Sequence, residues 1–122
     1  YNLDNFIQLS VASCFMNITF LDNLIFDEKI KPNFEDAKFI NEYLLDNINS
    51  KSAFLPKAKY FYRKREDSSS TLDLKLKSKD YYLNVTRNGY LKILSDCVKK
   101  RNTPLFIQNL VLYDIFWQIE PL

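Results

Sequence analysis

Residues 81–94 read YYLNVTRNGYLKIL, and Gly89, the only glycine in the 122-residue chain, sits among them directly after Asn88. An Asn-Gly pair between two runs rich in Tyr, Val, Ile and Leu is the signature of a type I′ hairpin turn, which needs positive φ at both central residues. On that reading Val85 faces Lys92 and Leu83 faces Leu94 across a β-hairpin. The pattern continues upstream. Ala58, Tyr60 and Tyr62 alternate with Lys57, Lys59, Phe61 and Arg63, and Leu72, Leu74 and Leu76 alternate with Thr71, Asp73, Lys75 and Lys77. A period of two is that of a strand, so the spacing predicts a four-stranded antiparallel meander. The charged, serine-rich RKREDSSS at 63–70 is the polar loop between its first two strands.

Three-and-four spacing appears on either side of this block. LDNFIQLSVASCFM predicts a helix over about 4–17 after a cap at Asp4, and ITFLDNLIF reads as a turn or short strand closed by Pro32. Asn33 is the expected cap of a helix over about 34–49. Glu35 and Asp36 stand in its first turn, where the helix dipole favours acids, and Phe39, Ile40, Tyr43, Leu44 and Ile48 share one side. Thr103-Pro104 opens a further helix, about 104–119, through LFIQNLVLYDIFWQI. A strand is the rival reading of that last segment, because its odd positions from Leu105 to Ile119 are almost all apolar. The expected fold class is α+β: an antiparallel four-stranded β-meander flanked by N-terminal helices and a C-terminal helix, in one domain over 1–122. A start at Tyr1 rather than Met fits a domain excised from a longer protein.

Composition excludes much chemistry. With 47% apolar and 16% aromatic residues the chain has the means to bury a core. One glycine cannot supply either glycine-rich phosphate loop, nor the aromatic-glycine motif of an RNA-recognition domain. The absence of histidine removes Ser-His-Asp and Cys-His nucleophile activation and H-E-x-x-H zinc sites. Asp73-Leu74-Lys75 matches half of a metal-dependent nuclease site, but the same D-x-K spacing recurs at Asp27/Lys29 and Asp36/Lys38. No catalytic residue, metal ligand or cofactor site is therefore assigned. Cys14 and Cys97 lack C-x-x-C spacing and read as free thiols in apolar surroundings, which favours an intracellular location over a secreted one. No apolar run is long enough to span a membrane.

The net charge of +2 conceals a partition: residues 1–56 carry −4, residues 57–101 carry +8 and residues 102–122 carry −2. Two functional expectations follow, neither of them enzymatic. The first is a protein-protein interaction or assembly module, binding another protein or itself. Its contacts are the aromatic C-terminal segment, with Phe106, Leu110, Tyr113, Phe116 and Trp117, and an open sheet edge, because a helix apolar on almost every side exceeds what one small domain can cover. The alternative is a single-stranded nucleic-acid or phosphate-surface binder, with Lys59, Arg63, Arg65, Lys75 and Lys77 as cations and Phe61 as a stacking ring. Lys99-Lys100-Arg101 is assigned to a helix C-terminus, where cations oppose the dipole.

Overall fold

The computed structural model describes residues 3, 6–21, 24–30, 33–61 and 79–119, and among them the protein is helical with no strand. The helices are α1 (Glu35–Asp46), α2 (Lys79–Asn84), α3 (Leu91–Lys99) and α4 (Leu105–Ile119). A π-helical turn, Val85–Tyr90, joins α2 to α3 without a break, and two 3-10 turns, Val11–Ser13 and Ile18–Phe20, precede α1. The expected α+β meander is thus overturned. Residues 58–61 have no regular structure and follow a turn closed by the Ala58 N–H on the Leu55 carbonyl at 3.0 Å. The second expected strand, over 72–76, lies outside the described residues.

The supposed hairpin is a helix, and its burial pattern explains why. Tyr81, Val85, Gly89, Ile93 and Cys97 are all buried and stand four residues apart. At 3.6 residues per turn, side chains spaced by four drift around an α-helix by about 40° at each step. The wider i→i+5 turn of a π-helix opposes that drift, so the five positions stay on the core side. The Leu91 N–H donates to the Thr86 carbonyl, five residues back. Gly89 does not have positive φ. The glycine instead makes room, because a Cβ there would lie 2.7 Å from Cδ1 of Phe34.

Phe34 occupies the N-cap position of α1 with φ 80°, displacing Asn33 from the expected role and leaving the cap with no side-chain hydrogen bond. Its ring meets Tyr90 edge to face, with centroids 4.9 Å apart. The helix expected over 34–49 is otherwise present as α1, with Glu35 and Asp36 in its first turn. At the other end of the π-containing run, α3 closes in a Schellman motif. The Arg101 N–H donates to Val98 O at 2.9 Å and the Asn102 N–H to Cys97 O at 3.1 Å, with Arg101 left-handed at φ 53°. Lys99 and Lys100 stand at this C-terminus as expected, and Lys100 also pairs with Asp46 of α1.

Where a helix is expected over 4–17, the described residues 6–17 form an extended strap interrupted by the 3-10 turn Val11–Ser13. Ser and Asn side chains there compete for the backbone bonds a helix would need. Ser10 Oγ accepts from the Ala12 N–H at 3.3 Å, Ser13 Oγ donates to Ser10 O, and Asn17 Oδ1 accepts from Thr19 N–H and Oγ1. Polar side chains of α1 then hold the strap in place. Asn41 donates to Gln8 O at 2.7 Å, Tyr43 Oη accepts from Asn17 N–H at 3.2 Å, Asn47 donates to Phe20 O, and Asp36 accepts from Ser10 and Val11. Beneath them Ile30, Phe34, Ala37 and Leu45 join Tyr81, Val85, Tyr90, Ile93 and Cys97, and Phe106, Ile107, Leu110 and Val111 of α4 complete the core.

Candidate functional site

α4 begins where the sequence predicts it, and the Pro104 carbonyl accepts from the amides of Ile107 and Gln108. Its inward side carries Phe106, Ile107, Leu110 and Val111, together with Asp114 and Gln118. Two of the five expected contact residues, Phe106 and Leu110, are therefore core. Tyr113, Phe116 and Trp117 point outward, with Phe116 69% and Trp117 58% exposed. Tyr113 and Trp117 share one flank one turn apart, ring centroids 6.3 Å apart. The side directly opposite the core holds Leu105, Leu112, Phe116 and Ile119, all half exposed or more. A count of aromatic residues missed Leu105, Leu112 and Ile119; their spacing of seven was the signal that could have found them.

The polar residues on the inward side are accounted for by a buried cluster. Tyr90 Oη donates to Asp114 Oδ2 at 2.5 Å and accepts from Gln118 Nε2 at 2.5 Å. Burial, then the bond to Asp114, pushes the Tyr90 phenol far above its ordinary range, so it stays a donor. Burial also raises Tyr81, beside the same carboxylate. This cluster ties α4 to the π turn; it presents no nucleophile paired with a base at the surface. Burial likewise pushes up the thiols of Cys97 and Cys14, neither of which is in a disulfide. Among the described residues no group of His, Cys, Asp and Glu is placed to hold a metal ion, and no helix is long and apolar enough to cross a membrane.

The residues of the nucleic-acid alternative are only partly placed. Lys59 and Phe61 are exposed on the irregular segment after Pro56, whereas Arg63, Arg65, Lys75 and Lys77 lie outside the described residues. The expected sheet face that would have aligned them is not formed by residues 57–61.

The chain is similar to two proteins of Bacillus subtilis (strain 168). It is 35% identical to the minor teichoic acid biosynthesis protein GgaB over 110 residues, covering 88% of this chain and 12% of that protein. It is 34% identical to the minor teichoic acid biosynthesis protein GgaA over 98 residues, covering 80% of this chain and 21% of that protein. The chain thus spans about an eighth and about a fifth of the curated relatives it matches. No protein-family model matches it, and no solved structure matches it significantly.

Proposed function

We propose that the chain is a non-catalytic helical interaction module that serves teichoic acid biosynthesis by docking onto a protein surface through the outward side of α4. The observation that carries this reading is the double-sidedness of that helix. Its inward residues already fill the core, yet Leu112, Tyr113, Phe116, Trp117 and Ile119 are still left to solvent. Large side chains of this kind, Trp and Tyr above all, supply contact area at low entropic cost and are enriched where proteins bind one another. The relatives support the setting. A segment of similar sequence recurs as 12% of one protein and 21% of another, both named for the same biosynthesis, which suits a part used within larger assemblies.

The test is a chimaera in which this chain replaces the matched segment of GgaB in Bacillus subtilis, with minor teichoic acid content as the readout. The parent chimaera should support production, and Tyr113→Ala with Trp117→Ala should reduce it severalfold while the purified chain melts close to the parent. Full production by the double variant, or none by the parent chimaera, would overturn the reading.

A further inference from the structure

The outward face of α4 carries an evenly spaced apolar stripe. Leu105, Leu112 and Ile119 stand seven residues apart, so successive members lie almost directly above one another along the helix. Their exposures are nearly equal, 50%, 53% and 56%, and Phe116 is the fourth apolar residue on this side. The spacing is the same in both directions from Leu112. The stripe also bears no charge: Asp114 is the only ionisable carboxylate or cation within α4, and it is buried on the opposite side. A surface without cations has nothing to recognise a phosphate polymer, a nucleic acid or an anionic lipid headgroup. It likewise carries no like charges to oppose a second copy.

We infer that the occupant of this stripe is the same stripe of a second copy, packed antiparallel across a twofold axis at Leu112. This rests on the interaction-module reading of α4 and specifies one of its partners. Two identical faces related by a twofold axis must be self-complementary. An antiparallel pair centred on Leu112 meets that condition along the stripe Leu105, Leu112 and Ile119. Leu112 meets Leu112 of the other copy, Leu105 meets Ile119, and Phe116 lies over Gln108. The Gln108 amide donates to Thr103 O at 2.8 Å within its own chain, which leaves its methylene stem to receive the ring. Helices meeting along such a stripe pack at the shallow angle of coiled-coil pairs. Tyr113 and Trp117, on the flank, stay free for a different protein. The stripe is short, so the pair forms weakly and reversibly.

Sedimentation equilibrium of the 122-residue chain, from micromolar to millimolar concentration, should show a monomer–dimer equilibrium. Leu112→Asp should weaken it at least tenfold with an unchanged circular dichroism spectrum. Mild oxidation provides a second measurement, made in a Cys14→Ser background. Leu112→Cys should form a covalent dimer with itself, and Gln108→Cys should link to Phe116→Cys when the two are mixed but not to itself. A chain monomeric throughout the range, a dimer that survives Leu112→Asp, or efficient self-linking of Gln108→Cys, the mark of a parallel pair, would each overturn the inference. None of these outcomes touches the Tyr113 and Trp117 chimaera, so a failed dimer and a failed interaction module are told apart.

Discussion

The ring of Phe34 lies so close to Gly89 that any side chain at 89 would meet it, with a Cβ standing 2.7 Å from Cδ1 and 3.1 Å from Cε1. Phe34 cannot easily yield, because its backbone is left-handed at φ 80° and its ring is seated edge to face on Tyr90. Gly89→Ala should therefore destabilise the protein by about 1–2 kcal/mol, the overpacking cost exceeding the helix-propensity gain of ~1 kcal/mol that alanine brings. Denaturant melts of Gly89→Ala alone and combined with Phe34→Ala check it. A clash between these two residues predicts strong non-additivity.

Tyr90→Phe removes the donor to Asp114 and the acceptor of Gln118 from a buried cluster. The expected loss is about 1–3 kcal/mol near neutral pH. The pH dependence has a definite sign. The folded phenol titrates above its unfolded value, so its contribution is complete below the ordinary tyrosine pKa of about 10 and falls as pH rises beyond it. Melts between neutral and strongly alkaline pH should show a decline that is shallower in Tyr90→Phe. The remainder belongs in part to Tyr81, which is raised in the same direction.

Arg101 takes the left-handed position of a Schellman motif, which glycine usually fills. The steric relief of Arg101→Gly, about 1–2 kcal/mol, is largely offset by greater unfolded-state freedom and by the loss of a cation at the helix end. A net gain of about 0.5 kcal/mol remains. Arg101→Val should lose stability, because a β-branched residue tolerates positive φ poorly. The ranking Gly above Arg above Val in thermal melts is the outcome to check.

Trp117→Ala should cost less than about 1 kcal/mol, as befits an exposed residue, whereas Leu110→Ala, one fully buried side chain on the same helix, should cost about 2–5 kcal/mol. Equal losses would place Trp117 in the core and remove it from the surface proposed for binding.

The two helices legible in the sequence are α1, whose apolar positions follow a helical period, and α4, which is apolar on almost every side and is legible from the Thr103-Pro104 signal at its start. At α1 the acids of the first turn were informative although the cap itself was not Asn33 but Phe34. The run from Lys79 to Lys99 was illegible for a specific reason. Its stripe, Tyr81 to Cys97, repeats every four residues, which a regular helix does not keep on one face, and its glycine follows an asparagine as in a hairpin. Glycine serves both positive φ and close approach, and only the position of Phe34 tells which use applies here. The strap failed for the opposite reason. Phe6, Ile7, Leu9 and Val11 have spacing compatible with a helix, but beside the local bonds of Ser10, Ser13 and Asn17 the strap is held by Asp36, Asn41, Tyr43 and Asn47, distant in sequence. At the candidate surface, residue type picked out Phe116 and Trp117; angle around the helix separates Phe116 from Phe106 and Leu110, whereas Trp117 shares their angle and is exposed near the end of α4.

Because the strap is fastened by individual side chains rather than by a ladder, its amides have no cooperative shield. Each latch closes over one or two peptide groups, and opening one leaves the others shut. Under native conditions the amide hydrogens of Gln8 to Phe20 should therefore exchange with deuterium in patches, each by its own local opening, while those of Leu110 and Val111 wait for unfolding of the whole core. Tyr43→Phe would speed exchange of the Asn17 amide, which donates to the Tyr43 hydroxyl, and leave the Val11 amide, held by Asp36, unchanged. Evolution could thus alter the strap one contact at a time without disturbing the helices beneath it.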